Sequence, residues 1–346
     1  MAEEKVFLRN VIGAYMTELG KKNDKVVVVN ADLMGTCRNK VFVEDFPNRS
    51  FNVGIAEQNM VSFAAGLAHE GFIPYAFTMA PFMSMRACEQ VRTDVAYARL
   101  PVRLMATYAG LSGGISGATH WAVEDCAIMT GIPEMTVVEV CDENQAKAVL
   151  DFSLGYDNPL YIRSSVEPVR NVYPSDYKFE LGKASVLKEG TDGTFICSGV
   201  VVQYALDAAK IIEEKYGKHI QVIDMATIKP LDKNAVIKAA KTGNIIVAQD
   251  HNVIGGLGSA VATVLAEEGA GVNFKILGLT DKFVAMAHAQ YLYHQFEYDT
   301  EGLVENMMQF FSIKDFNGGG YNCRVVYKDT YIFNKTLCAS SFAEVA

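Results

Sequence analysis

A glutamate at the junction of a predicted strand and a predicted helix is the first residue whose setting suggests chemistry. Glu57 lies in the run 51–60, FNVGIAEQNM, where strand-like residues meet Gly54 and a helical pattern starts within a few positions. A carboxylate there lies at the carboxyl end of a parallel strand, where open α/β sheets bind ligands, and near the positive end of a helix dipole. Taken alone, this position leaves open an acid that only stabilises the helix start.

The second candidate is a histidine that ends a glycine-rich loop. The loop 110–120, GLSGGISGATH, follows a predicted strand over 102–107 and contains four glycines, so its backbone can make turns closed to other residues and approach a ligand closely. A lone histidine is usually structural. One at the end of such a loop can hydrogen-bond a ligand or transfer a proton, which makes His120 an active-site candidate.

These two segments, together with the Ala-Asp-Leu segment at 31–33, resemble a family of thiamine-diphosphate enzymes: transketolases, deoxyxylulose-phosphate synthases and the beta subunits of 2-oxo acid dehydrogenases. In that family a glutamate in this setting hydrogen-bonds the ring nitrogen of the cofactor's aminopyrimidine. The histidine of a Gly-x-Thr-His segment faces the reactive carbon and the substrate oxygens. The resemblance therefore implies that Glu57 and His120 are catalytic and that thiamine diphosphate is the cofactor.

The same resemblance implies two further cofactor contacts. Asp32 follows the first predicted strand, as the family's Ala-Asp-Leu segment does near the cofactor, and Phe82 stands where transketolases place an aromatic ring against the aminopyrimidine. The alternative for Asp32 is a turn residue at a strand end. The alternative for Phe82 is an apolar residue on the face of a Met-rich helix, which we predict over 81–98.

Substrate contacts are implied by the matched segments as well. Arg9 and Arg163 fall where those segments place phosphate-binding arginines, and Thr36 falls near a hydroxyl contact. A few well-placed arginines suffice to bind a phosphate group. A solvated helix arginine is the alternative for Arg9, and a strand-end ion pair is the alternative for Arg163.

Two positions depart from the one-chain transketolases. Tyr108 stands where those enzymes carry a histidine that touches the substrate, and Ser116 stands where they carry an aspartate that reads a hydroxyl group. The pattern Gly-Ala-Thr-His-x-x-x-Glu-Asp instead resembles the two-gene transketolases, whose substrates are less uniform. The sequence therefore leaves the acceptor sugar open.

A site for the cofactor's diphosphate is missing from the sequence. The family holds the diphosphate through Mg2+ with a Gly-Asp-Gly segment followed by Asn, a ligand set that suits a hard cation. The nearest string, GTDG at 190–193, lacks the Asn. We therefore predict that this chain has no metal site of its own. A separate diphosphate-binding transketolase N-terminal subunit would hold Mg2+, with two copies of each chain in the assembly.

Two α/β blocks are expected to position these residues. Short apolar runs alternate with amphipathic helical patterns in both blocks, which predicts two doubly wound domains with parallel sheets. We expect a pyrimidine-binding domain at 1–165, a linker at 166–184 and a C-terminal domain at 185–311. The tail at 312–346 has no assigned role.

Composition narrows the class of protein. The 346 residues are 50% hydrophobic and 21% charged, and a formal charge of -9 without a dense basic block argues against nucleic-acid binding. The absence of a signal-peptide pattern and of a membrane-spanning apolar stretch predicts a cytoplasmic protein. Seven scattered cysteines predict reduced thiols, and the histidines lack the spacing of a zinc site.

The expected function is transfer of a two-carbon ketol unit from a ketose phosphate to an aldose phosphate, as in the pentose phosphate pathway, active only with the partner chain. Three alternatives remain: a beta subunit of a 2-oxo acid dehydrogenase, an enzyme like deoxyxylulose-phosphate synthase, and a non-catalytic partner that kept the fold. The presence of Glu57 and His120 favours a catalytic chain over the last of these.

Overall fold

The computed structural model describes residues 5–314, which form two α/β units. The strands are β1 (Lys5–Phe7), β2 (Val26–Asn30), β3 (Ser50–Asn52), β4 (Ile73–Met79), β5 (Arg103–Thr107), β6 (Thr136–Glu139), β7 (Leu160–Ser164), β8 (Pro168–Arg170), β9 (Ser185–Lys188), β10 (Gly193–Cys197), β11 (Ile220–Asp224), β12 (Thr227–Lys229), β13 (Asn244–Asn252) and β14 (Asn273–Leu279). The helices are α1 (Leu8–Lys22), α2 (Lys40–Asp45), α3 (Glu57–His69), α4 (three successive segments, Phe82–Arg86, Cys88–Gln90 and Val91–Ala96), α5 (Asp125–Gly131), α6 (Glu143–Ser153), α7 (Val201–Tyr216), α8 (Lys233–Ala239), α9 (Leu257–Glu267), α10 (Ala289–Gln295) and α11 (Thr300–Lys314).

The first unit is built on a seven-stranded sheet with the order β12-β6-β7-β5-β4-β2-β3. The six strands from β6 to β3 are parallel. From β2 the chain goes to the edge strand β3 and then returns to β4 on the other side of β2, so the strand order reverses at β2. The carboxyl ends of strands beside such a reversal form the usual ligand crevice of an open α/β sheet.

Burial on both faces explains why the strands of this sheet are continuously apolar. In β2, Val26 and Val28 belong to one hydrophobic cluster and Val29 to another, as expected when successive side chains point to opposite faces. All five residues of β2 are buried. Helices therefore cover both faces of the sheet, and its carboxyl edge carries the candidate residues.

The second unit contains a five-stranded sheet with the order β14-β13-β10-β11-β9. Four of these strands are parallel, and only the edge strand β9 is antiparallel. Helix α11 packs against α7. The predicted fold class, α/β with two domains of mainly parallel sheet, is confirmed by both sheets.

Two short strands cross the boundary that we predicted between the domains. Strand β8 lies inside the segment expected to be a linker and pairs antiparallel with β1. Strand β12 follows the start of the second unit in sequence, yet it pairs antiparallel with β6 of the first sheet. The segment 166–184 is therefore not structureless at its start, and the two units are joined by a shared sheet edge as well as by the connecting chain.

Helix α4 differs from the continuous helix predicted over 81–98. Its first and last segments, Phe82–Arg86 and Val91–Ala96, are π-helical, with the shorter Cys88–Gln90 segment between them. Wide turns of this kind are rare and occur often at functional sites, because they re-aim side chains within a helix. The apolar periodicity of the sequence could not reveal them.

Some predictions concern residues that the structure does not describe. The tail after 311 lies almost wholly outside the described range, as do Cys323 and Cys338. The five cysteines within residues 5–314 are all free thiols. No helix in that range combines the length and the apolar character needed to cross a membrane.

Candidate active site

Glu57 lies at the first position of α3, shortly after the end of β3. The turn between them is made by Gly54, whose φ of 78 is in the region that favours glycine, and the Ala56 N–H donates to the Gly54 carbonyl at 2.8 Å. Only 4% of Glu57 is exposed. The local sequence thus fixes a nearly buried carboxylate at the carboxyl edge of the first sheet.

Phe82 and His120 are brought together at the same edge. Phe82 begins α4 after β4, His120 ends the loop after β5, and their ring centroids are 5.4 Å apart in an edge-on arrangement with an interplanar angle of 65°. His120 Nδ1 lies 2.8 Å from the Thr119 hydroxyl. The predicted aromatic ring and the predicted histidine therefore form one site, although a whole strand and helix separate them in the sequence.

Arg86 links Glu57 to Phe82 and was not among the residues selected from the sequence. Its Nη1 donates to Glu57 Oε1 at 3.1 Å, and its guanidinium carbon lies 3.7 Å from the centroid of the Phe82 ring. A cation over an aromatic face is attracted to the ring's negative face. The sequence spacing could have identified Arg86, because it follows Phe82 by four positions in a predicted helix and residues so spaced lie on the same face.

Asp32 follows β2 and is hydrogen-bonded to the segment that leads to Glu57. It is exposed, has a φ of 59, and donates its backbone N–H to Asn52 Oδ1 at 3.0 Å. Asn52 Nδ2 in turn donates to Asp32 Oδ1 at 3.2 Å, and the Gly54 N–H donates to Asn52 Oδ1. These bonds join the end of β2 to the turn before Glu57. A contact between Asp32 and the cofactor stays a prediction.

Arg9 lies in α1, and Thr36 lies between β2 and α2. Arg9 is half-buried, donates from Nη1 to the Tyr108 hydroxyl at 3.2 Å, and lines a small pocket together with Cys37 and Thr107. Thr36 is half-buried in the turn before α2. Both residues remain accessible, so their assignment as substrate contacts stays a prediction.

The phosphate-binding role predicted for Arg163 does not fit its surroundings. Arg163 has 0% exposure at the carboxyl end of β7, where its Nε donates to Asp125 Oδ2 at 2.8 Å and its Nη1 donates to Glu139 Oε1. Its Nη2 donates to the Ala122 and Asp250 carbonyls. The position at a strand end was predicted correctly, but the guanidinium is fully used by buried partners. The strand-end ion pair is the better description.

The Arg163 ion pairs belong to a buried network that joins the two units. Glu139 Oε2 accepts hydrogen bonds from the Ser198 hydroxyl at 2.6 Å and from Gln249 Nε2 at 2.8 Å, both in the second unit. Burial alone would lower the pKa of Arg163, but the carboxylates of Asp125 and Glu139 raise it well above its usual value. The network therefore contains a permanent cation between two domains.

Asp250 forms the second-unit end of the same network. Its Oδ1 accepts from the Leu111 N–H at 2.8 Å and from the Tyr298 hydroxyl, and its Oδ2 accepts from the Tyr293 hydroxyl. Burial raises the pKa of Asp250 to about 6 despite these donors. Because Leu111 begins the loop that carries His120, the second unit holds the root of that loop in place.

Comparison with known proteins identifies the family. Residues 4–171 match the model of the transketolase pyrimidine-binding domain, and residues 182–303 match the model of the transketolase C-terminal domain. A 6-deoxy-6-sulfo-D-fructose transketolase subunit from Clostridium sp. (strain MSTE9) is 38% identical over 316 residues, which cover 90% of this chain and 97% of that protein. The chain belongs to the transketolase family.

Two further matches of this transketolase-family chain are named as a subunit and as a split-gene product. A subunit of the apulose-4-phosphate transketolase from Phocaeicola vulgatus is 34% identical over 312 residues, 90% of this chain and 99% of that one. A solved structure described as "Split gene transketolase, inactive beta4 tetramer" is 36% identical, with a TM-score of 0.80, and covers 90% of this chain and 100% of its own. The resemblance to transketolases inferred from the Glu57 run is confirmed.

The residues at the carboxyl edge fit the pyrimidine half of a thiamine-type cofactor. Transketolase-family enzymes depend on thiamine diphosphate, and the matched family model is that of a pyrimidine-binding domain. An aminopyrimidine requires a hydrogen-bond acceptor at its edge and an aromatic ring to stack on. The site offers both, a nearly buried carboxylate and an aromatic face beside it. Glu57 and Phe82 already hold a planar, hydrogen-bonding group between them in the form of Arg86.

The residues considered for a metal site do not fit a resident cation. Asp192, in the GTDG string, accepts from the His219 N–H at 2.8 Å and so links the segment before β10 to the segment before β11. Within the described range, Asp125, Cys126 and His251 bring possible ligand atoms within 4.8 Å of one another. Asp125 is already paired with the Arg163 guanidinium, whose Nε lies 2.8 Å from Asp125 Oδ2. The positive charge of that guanidinium would repel a metal cation bound to Asp125.

Proposed function

We propose that this chain is the pyrimidine-binding subunit of a two-chain transketolase, which transfers a two-carbon ketol unit from a ketose phosphate to an aldose phosphate. The single observation that carries the proposal is the convergence of Glu57, Phe82 and His120 at the carboxyl edge of the first sheet. These residues come from three different connections of the sheet. A cofactor site requires such residues to lie together. If Glu57 only stabilised the start of α3, there would be no reason for Phe82 and His120 to lie near it.

Each residue has a distinct role in the proposed reaction. When bound, thiamine diphosphate supplies a nucleophilic carbon and accepts the electron pair released from the ketose. Glu57 hydrogen-bonds the pyrimidine ring from a position that little water reaches, and Phe82 stacks against that ring. Since His120 Nδ1 contacts Thr119, its Nε2 is the nitrogen that binds a substrate oxygen and exchanges a proton with it.

The diphosphate and Mg2+ are assigned to a separate N-terminal subunit. Two relatives carry the word subunit in their names, and a third is described as a split gene product, which supports a division of the enzyme between two chains. The aspartate of the GTDG string in this chain, Asp192, is engaged in a structural hydrogen bond with the His219 N–H. We propose two copies of each chain, because closed two-fold assemblies are the most common.

An anionic sugar is the proposed substrate class. The relatives' names include one sugar with a sulfonate group and one with a phosphate group, so a terminal anion is shared while the sugar differs. Arg9 is the cation of this chain proposed to contact that anion, and Thr36 a sugar hydroxyl. Arg163 is removed from the set because its guanidinium is fully buried.

The test is a ketol-transfer assay on the complex that co-purifies with this chain from its native cell. With thiamine diphosphate, Mg2+, a ketose phosphate and an aldose phosphate, the complex should turn over, and the isolated chain should not. Glu57→Gln should lower kcat by roughly 10²–10⁴-fold without unfolding the complex. Glu89→Gln, which changes an exposed glutamate on α4, is the matched control and should be neutral.

Other outcomes would point to other enzymes. Decarboxylation of pyruvate without ketol transfer would indicate a 2-oxo acid dehydrogenase subunit or a deoxyxylulose-phosphate synthase-like activity. Robust ketol transfer by the isolated chain would contradict the two-chain arrangement. Unchanged activity in Glu57→Gln would remove Glu57 from the mechanism and favour a non-catalytic partner instead.

A further inference from the structure

The Arg86 side chain occupies the space between Glu57 and Phe82 that the proposed site reserves for a ligand. It makes both contacts at once, an Nη1 hydrogen bond to Glu57 Oε1 at 3.1 Å and a stacking contact with its guanidinium carbon 3.7 Å from the Phe82 centroid. We propose that Arg86 is a displaceable placeholder of the cofactor's aminopyrimidine, and that it sets the affinity of the site. This inference rests on the proposed function, since it assumes that Glu57 and Phe82 receive that ring.

A guanidinium and an aminopyrimidine share the features that Glu57 and Phe82 can recognise. Both are planar, both present N–H donors at their edge, and both can stack on an aromatic face. A ligand that pairs with Glu57 while it stacks on the face of Phe82 must therefore lie where the Arg86 guanidinium lies. Edge-on His120 borders the same ring at a centroid distance of 5.4 Å, which further limits the room.

Arg86 also has a reason to be there before any ligand arrives. With Arg86 in place, the Glu57 side chain is only 5% exposed, so its carboxylate has little contact with water and needs a partner within the protein. Arg86 supplies the hydrogen bond and the opposite charge. Because both belong to a side chain, a ligand can replace them without any change in the main chain.

The contact is nevertheless weak enough to be given up. The Arg86 side chain is 51% exposed, and ion pairs with an exposed member contribute little because water competes and salt screens them. Arg86 lies at the end of the π-helical segment Phe82–Arg86. The guanidinium can leave for solvent by rotation of the side chain, while the backbone of α4 stays in place.

A placeholder lowers the apparent affinity of its ligand by a predictable factor. The apparent dissociation constant equals the intrinsic one divided by the fraction of molecules in which the site is open. A stacking contact and a half-exposed ion pair together correspond to a closed state favoured about fivefold to tenfold. Removing the guanidinium should therefore tighten cofactor binding by about the same factor.

The experiment compares Arg86→Met with Arg92→Met in the complex that co-purifies with this chain. Methionine keeps the apolar stem but cannot pair with Glu57, and Arg92 is an exposed arginine further along α4. Calorimetric titration with thiamine diphosphate at saturating Mg2+ should give a dissociation constant about fivefold to tenfold lower for Arg86→Met than for the unaltered complex. Arg92→Met should leave the constant unchanged.

Two further measurements test the placeholder without relying on catalysis. In Arg86→Ala, dilute methylguanidinium should refill the space and weaken thiamine diphosphate binding, with no such effect on the unaltered complex. The difference in affinity between Arg86→Met and the unaltered complex should shrink in about 0.5 M KCl, because salt weakens the competing ion pair.

The outcomes separate this inference from the proposed function. If the unaltered complex and all variants fail to bind thiamine diphosphate, the proposed function is wrong. If the unaltered complex binds and Arg86→Met binds equally well or more weakly, the function stands and the placeholder is overturned. Weaker binding in Arg86→Met would show that Arg86 stays in place and holds the ligand itself.

Discussion

Arg86 and Arg163 are two arginines of the first unit that pair with carboxylates at the same edge of the sheet, yet their surroundings differ completely. Arg163 has no exposed surface and donates to two carboxylates and two carbonyls. Arg86 is half-exposed and contacts one carboxylate and one ring. The difference suggests that a saturated, buried cation maintains the architecture, whereas an exposed cation beside a buried acid keeps a ligand site ready.

Solvation is the physical reason for this difference. A buried ion pair gains little net stability, but removal of one partner leaves the others charged and out of water, which is costly. In an exposed pair, water replaces the lost partner and the cost is small. Substitution of the same residue type by the same replacement should therefore have very different effects in the two regions.

The largest effect is expected for Arg163→Met. This change leaves Asp125 and Glu139 buried without their cation, and the free energy of unfolding should fall by about 3–5 kcal/mol. Urea denaturation of the purified chain, followed by circular dichroism, measures the loss. Arg99→Met, which breaks an ion pair with 68% and 45% exposed side chains, is the control and should change stability by less than about 0.5 kcal/mol. A loss below about 1 kcal/mol in Arg163→Met would contradict the structural role.

Asp224 provides a smaller effect that depends on pH. It lies at the carboxyl end of β11 and accepts hydrogen bonds from the Tyr173 hydroxyl at 2.7 Å and from Gln145 Nε2 at 2.6 Å. Burial is the main cause that raises the pKa of Asp224 from 3.8 to about 7, and the nearby Asp142 raises it further. The hydrogen bonds that Asp224 accepts lower its pKa, but by less than burial raises it. Between these values the native state binds a proton that the unfolded chain has released.

Stability from Asp224 is therefore present at about pH 4 and is lost as the pH rises to about 7, a change on the order of 3–4 kcal/mol. Asp224→Asn keeps an acceptor oxygen and cannot ionise, so it should remove this decline. Urea unfolding of both chains across that pH range measures the difference in slope. Asp24→Asn, at an exposed position, serves as the control. Parallel pH profiles for Asp224→Asn and the unaltered chain would show that Asp224 titrates normally.

The smallest effect is expected for Arg86→Met, measured by the same urea denaturation. Water can solvate Glu57 through the opening that Arg86 leaves, so the free energy of unfolding should change by less than about 1 kcal/mol. A loss as large as that of Arg163→Met would mean that both arginines maintain the fold. The proposed contrast between the two regions would then be wrong.

Local sequence features were sufficient where one segment builds the feature by itself. The Gly54 turn followed by a helix start places Glu57 at a strand end, and the glycine loop delivers His120 to the same edge. The alternation of short apolar runs with helical patterns predicted the α/β class. The same features could not reveal the π-helical turns of α4 or the return of β12 to the first sheet, because both depend on contacts distant in sequence.

The residues by themselves determined the family, the two α/β units and the candidates Glu57, Phe82 and His120. Only the tertiary structure decided which charged side chains are accessible to a ligand. Arg9 and Arg163 received the same assignment from their positions in the sequence, but neighbours from both units surround Arg163 and leave Arg9 half-buried. Whether an arginine can bind a ligand depends on the water and partners around its guanidinium, and those come from distant parts of the chain.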